Sequence, residues 1–143
     1  GASITITGLQ VEKGSAATSF DYRPYGTELS LCQRYYQQTN SDATAYYSQY
    51  CQGFANATTS VAFQLPMKVS MRTAPTTLNY STCSVQDYIG AALSISALSV
   101  NATNSTKDVA VIVASVTGAT QFKPYSLGAA NSSSSYLGVG AEL

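Results

Sequence analysis

Val61-Ala62-Phe63-Gln64-Leu65-Pro66-Met67-Lys68-Val69-Ser70-Met71 alternates without a break: every odd position is apolar, and the even positions are small, polar, charged or proline. A period of two held this long puts one face of a β-strand in a core and the other outside it. Pro66 has no N–H to give a ladder, so it marks an edge or a break within the run.

The same pattern recurs outward from this stretch. Ala91, Leu93, Ile95 and Ala97 alternate, and the parity slips at Leu98 and Val100, which predicts a bulge. Val109-Ala110-Val111-Ile112-Val113 is nearly continuous and is expected to be a central strand. Leu137, Val139, Ala141 and Leu143 predict a last strand, and Ile4 and Ile6 alternate with Ser3, Thr5 and Thr7 near the start. Turn-rich spacers separate the runs at Asn101–Asp108, Gly118–Thr120 and Gly128–Ser135. No fixed-period repeat is visible, which disfavours a solenoid or a triple β-helix shaft. The expected fold is mainly β: an antiparallel β-sandwich of jelly-roll type with one N-terminal α-helix.

That helix is predicted over about residues 27–38. Tyr25-Gly26 breaks the preceding segment, Thr27 offers a capping hydroxyl, and Glu28 suits the positive end of the helix dipole. Leu29, Cys32 and Tyr36 form a stripe widened by Leu31 and Tyr35, with Ser30, Gln33, Arg34 and Gln37 opposite. The stripe is expected to face inward, and Thr39-Asn40-Ser41-Asp42 to end the helix.

The string Arg23-Pro24-Tyr25-Gly26-Thr27-Glu28-Leu29-Ser30-Leu31-Cys32-Gln33-Arg34-Tyr35-Tyr36 also resembles the C-terminal receptor-binding region of bacteriophage tail fibre proteins. Gly8–Phe20 looks like the segment that closes a preceding fibre module. Met71-Arg72-Thr73-Ala74-Pro75-Thr76 and the terminal Gly140-Ala141-Glu142-Leu143 fit the same pattern, in the same order. The resemblance implies a homotrimeric, β-rich fibre tip that binds a bacterial surface glycan. It implies a place in the virion, with assembly in the host cytoplasm. Residues 1–24 would be a strand and linker from an upstream module, and 25–143 the receptor-binding domain. It does not say which residues touch the glycan.

Composition narrows the chemistry. Charged residues are 10% of the chain, against about 25% in ordinary domains, and seven basic side chains balance seven acidic ones. No basic field is present to hold nucleic acid or an anionic membrane. Twenty Ser and sixteen Thr mean that the surface is built largely from hydroxyls. Such a surface suits work outside a cell, or burial in an oligomer. No run of about 18 apolar residues predicts a membrane span. No signal peptide opens the chain, and Gly1-Ala2-Ser3 is expected to be a processing start. Cys32, Cys51 and Cys83 have no metal-ligand spacing. They are read either as small buried thiols or as a Cys51–Cys83 disulfide with one thiol over. With no His, no common zinc site and no cofactor is expected.

A catalytic reading fares poorly. No His serves as a base, and the carboxylates of Glu12, Asp21, Glu28, Asp42, Asp87, Asp108 and Glu142 fall at no spacing that enforces proximity. Phosphate loops and nucleophile elbows are absent, so the chain is not expected to be an enzyme. Five Asn-X-Ser/Thr triplets are read as products of composition.

Tyrosine is more informative. Its eleven copies offer rings for the C–H faces of sugars and hydroxyls for sugar hydroxyls, at low entropic cost. Tyr46, Tyr47 and Tyr50 cluster beside Gln49 and Gln52, where they would fill a subunit interface or touch glycan. Tyr125 and Tyr136 flank the Gly128–Ser135 loop, with Asn131 as a polar partner. Tyr35 and Tyr36 are assigned to packing. Arg23 and Arg34 are read as structural ties, the competing role being carboxylate binding on an acidic glycan. Three functions compete: non-catalytic adhesion by a trimeric fibre tip, a purely structural trimerisation or capping domain, and a secreted lectin-like module.

Overall fold

The computed structural model describes residues 3, 11, 13–16, 18–19, 22–42, 47–87 and 91–141. Among the described residues one helix, α1 (Tyr25–Gln33), precedes ten strands. These are β1 (Tyr36–Asn40), β2 (Gln49–Ala57), β3 (Ser60–Pro66), β4 (Thr77–Ser81), β5 (Cys83–Asp87), β6 (Ala92–Leu93), β7 (Ile95–Val100), β8 (Val109–Val116), β9 (Pro124–Ala129) and β10 (Tyr136–Gly140). The chain is mainly β, and every strand pair is antiparallel. Three strands form one sheet in the order β1-β10-β4, and seven form another in the order β6-β5-β9-β2-β3-β8-β7. The larger sheet curls until β7 comes beside β4 and β5, so it is nearly closed.

The alternation of 61–71 does place a core. Val61, Phe63 and Leu65 point inward and pair in register with Ala114, Ile112 and Ala110 of β8. Cys51 and Ala55 of β2, Tyr125 and Leu127 of β9, and Val85 of β5 extend the same buried face. Leu137 and Val139 close it from the small sheet. β3 ends at Pro66, as a residue without an N–H requires. β8 lies between β3 and β7 as an inner strand, and the β7–β8 register shifts between Ile95 and Ala97, where a bulge was expected nearby. The third spacer is shorter than predicted: Gly128 and Ala129 belong to β9, and the turn starts after them. A Cβ at Gly128 would overlap the Ser48 carbonyl, so the crossing chain requires glycine there.

The helix departs from expectation in register and in burial. It begins at Tyr25, because Pro24 has its φ at −58° and its carbonyl accepts the N–H groups of Thr27 and Glu28 at 2.9 and 3.2 Å. Thr27 therefore lies inside the helix rather than capping it. The helix stops at Gln33, and Tyr36 enters β1. Gln37 makes this exit favourable. Its buried side chain donates to the Gln33 and Val69 carbonyls, and its Oε1 accepts the Lys68 N–H at 2.8 Å. No helix residue is buried within the chain; Leu29 is 40% and Leu31 38% exposed, and Cys32 is exposed. Ile4 and Ile6 lie outside the described residues.

Candidate functional site

The outer face of the large sheet is where unusual side chains gather. Strand pairing sets Gln86, Ser126, Gln52, Gln64 and Val111 in one row across five strands. Pro124, Phe54, Ala62 and Val113 form the next row. Alternation along β2 turns Cys51 and Ala55 inward, which forces Gln52 and Phe54 outward. Phe54 is left 54% exposed, although burying such a ring is worth about 1.5–3 kcal/mol. Gln52 and Gln64 are exposed and make no side-chain hydrogen bond among the described residues, whereas the Gln86 amide donates to the Ser84 hydroxyl at 3.0 Å.

A second ring stands beside the first. Phe122 is 77% exposed and has φ at 65°, a conformation that is an outlier for a bulky residue. The turn holds it there: its N–H donates to the Ala55 carbonyl at 2.8 Å, and the Lys123 N–H closes on the Thr120 carbonyl at 3.1 Å. The Gln121 amide ties the same turn to the Asn56 carbonyl at 3.0 Å. Two clefts meet on this face. One, of about 390 Å³, is lined by Gln49, Gln52, Gln86, Asp87, Pro124 and Tyr125. The other, of about 460 Å³, is lined by Gln52, Phe54, Gln64, Val111, Phe122 and Pro124.

Charge at this end is self-neutralised. Lys123 Nζ lies 2.8 Å from Asp87 Oδ2, and Asp87 Oδ1 accepts the Ala91 N–H at 2.8 Å. The hydrogen bond that the Lys123 ammonium donates to Asp87 holds it above the usual lysine range. The same ammonium sits 5.9 Å from the Tyr125 ring centroid.

The residues singled out in the sequence divide between two places. Tyr46 lies outside the described residues. Tyr47 is exposed in a turn. Tyr50 is half-buried, and its hydroxyl donates to Ser135 Oγ at 2.7 Å, which donates on to the Ser81 carbonyl. Burial pushes the Tyr50 hydroxyl above the usual phenol range. Tyr136 pairs with Asn40 and Ser81 in the small sheet, close to that serine turn. Asn131 is exposed in the same turn, with φ at 52°. Tyr125 is apart from these, at the other end of β9; only 5% exposed, it accepts the Thr120 N–H on its hydroxyl at 2.9 Å. Its ring belongs to the core row with Gly53 and Phe63, so it offers no free surface. Phe54, Phe122, Gln64 and Gln86 were not singled out. Phe54 had a signal: it shares parity with Gln52 and Asn56 rather than with the apolar positions. Phe122 had none, since positive φ at a bulky residue is set by the folded turn.

The strings that carry the resemblance meet at one end of the molecule. The Arg72 N–H donates to the Arg34 carbonyl and the Ala141 N–H to the Tyr35 carbonyl, both at 2.8 Å. The Thr76 N–H donates to the Gly140 carbonyl at 2.9 Å, and the Arg72 guanidinium stands 6.0 Å from the Tyr35 ring centroid. Tyr36 lies over Gly138, where a Cβ would overlap its hydroxyl. Arg23 pairs with Glu28 at 3.3 Å with both side chains about half exposed, a geometry that contributes little. Of Gly8–Phe20, residues 8–10, 12, 17 and 20 lie outside the described residues.

Cys32, Cys51 and Cys83 are all free thiols. Among the described residues no three Cys, Asp or Glu side chains gather to hold a metal ion, and no helix is long and apolar enough to cross a membrane. Compared with family models, curated proteins and solved structures, the chain matches none.

Proposed function

We propose that this chain is the receptor-binding tip of a bacteriophage tail fibre, adhering without catalysis to a capsule or lipopolysaccharide glycan during host recognition. The observation that carries the reading is the meeting of the fibre-like strings: 23–36, 71–76 and 140–141 are far apart in the chain and bond to one another directly. A likeness scattered by chance would not be expected to fold into one unit. In this reading the two sheets are the layers of a jelly-roll-like sandwich, and three chains assemble about a three-fold axis. Residues 1–24 link to an upstream fibre module. The fibre belongs to the virion and is assembled in the host cytoplasm, where free thiols persist.

Three copies per tip multiply weak single-site affinity by avidity. A second reading, a purely structural trimerising cap, is favoured by α1, whose Leu29 and Leu31 stay 40% and 38% exposed. The experiment is to label the protein and incubate it with a panel of bacteria, together with capsule-deficient and lipopolysaccharide-truncated mutants of any strain it binds. Adhesion supports the reading if one glycan mutant loses it. No binding to any strain favours the cap, and release of oligosaccharide from a bound polysaccharide overturns the non-catalytic claim.

A further inference from the structure

We infer that the outer face of the large sheet is the glycan site and that its ligand is an uncharged oligosaccharide; this rests on the adhesion reading above. A pyranose has apolar C–H faces and a rim of hydroxyls. Phe54 and Phe122 are rings left in solvent with no hydrogen-bonding group of their own, one by strand parity and one by a left-handed turn. They supply stacking platforms, and Pro124 between the clefts supplies a third apolar surface.

The polar half of the site is a line. Gln86, Gln52 and Gln64 lie on one cross-strand row with Ser126 between the first two. Each amide carries both a donor and an acceptor, which matches a hydroxyl that must give and receive. From Gln86 to Gln64 the row covers three inter-strand steps, about 14 Å at the usual spacing. That exceeds one sugar ring, so the ligand is an oligosaccharide lying across the strands. A dry protein partner would have to satisfy the Gln52 and Gln64 amides at fixed points, whereas sugar hydroxyls rotate to meet them.

The neutral character follows from what the rows contain. No charged side chain lies in either row, and the nearest charges, Lys123 and Asp87, bind each other. An acidic sugar would find no unengaged cation among these residues. Phe122 adds a mark of function: a strained, exposed aromatic stands where glycine would be easier.

The test uses the whole chain on an array of bacterial polysaccharides of known composition, some neutral and some rich in uronic or sialic acid. Phe54→Ala, Phe122→Gly, Gln52→Ala, Tyr47→Ala and Tyr136→Ala are compared with the parent, with circular dichroism and solution mass as folding controls. Phe122→Gly relieves the turn, so it keeps the fold. The parent is expected to bind neutral polysaccharide, and Phe54→Ala and Phe122→Gly to weaken it by about tenfold or more, while Tyr47→Ala binds as the parent does. Loss in Tyr47→Ala or Tyr136→Ala with the Phe variants unaffected moves the site to the serine turn and leaves adhesion standing. Binding to acidic polysaccharides alone, or to cells with no neutral polysaccharide bound, overturns the ligand class. A changed solution mass in Phe54→Ala makes the face an interface between copies. Binding to neither array nor cells removes the adhesion reading itself.

Discussion

The large sheet and the helix unit both announce themselves by apolar periodicity, and they meet opposite fates. In β3 and β8 the alternating side chains disappear into the chain's own core, down to complete burial of Val61, Phe63 and Ile112. In α1 the stripe of Leu29, Leu31 and Cys32 stays partly exposed. Periodicity states that a stripe suits a cover; it does not state whether the cover is the same chain. On the proposed function, the helix unit would assemble copies and the sheet would meet the glycan.

The strongest way to break this contrast is to delete a ring on each face of the sheet. Phe63→Ala should cost about 3–5 kcal/mol in denaturant unfolding, independent of protein concentration. Phe54→Ala, in the neighbouring strand but facing out, should cost under about 1 kcal/mol. Equal losses would mean that the two faces are not as different as their exposure indicates.

Alkaline pH sharpens the picture of the interior. Burial pushes the Cys51 thiol from 9.0 up to about 12, and it also raises Cys83 and Tyr50. Above pH 9 the unfolded chain loses protons that the folded chain keeps, so unfolding gains. The stability is fully present below pH 9.0 and is lost as pH rises towards about 12. Midpoints of unfolding should fall across that window, and exposed Cys32 should be alkylated well before Cys51 at pH 8. A flat profile, or equal labelling, contradicts the burial.

A smaller effect separates chain from assembly. Leu29→Ala should change the stability of the dissociated chain by less than about 1 kcal/mol. It should make the unfolding midpoint of the assembly fall and depend more steeply on concentration. Smallest of all, Arg23→Ala should shift stability by under about 0.5 kcal/mol, because its ion pair with Glu28 is solvent-exposed.

Strong patterning was legible: 61–65 and the bulge before Leu98 follow from parity, and the inner position of β8 from its nearly continuous apolar run. β5 and β9 were not legible as separate strands. Cys83–Asp87 and Pro124–Ala129 are short and carry Ser, Gln and Gly at every second position, and in β9 burial continues through five successive residues. The helix end was missed because Gln37, read as a helix-face residue, instead bonds Gln33, Val69 and Lys68 from β1. Lys68 and Val69 lie some thirty residues on, beyond any local window. The candidate site was half legible. Tyr125 was found, though it packs in the core, while the Gln52–Gln64–Gln86 row exists only once four strands are in register.

The most direct measurement is the mass of the chain in solution by sedimentation equilibrium at micromolar concentration. Assembly through the partly exposed helix unit predicts three times the 15.0 kDa chain mass. A mass of 15.0 kDa would contradict it, since the exposed side of α1 would then have no partner copy.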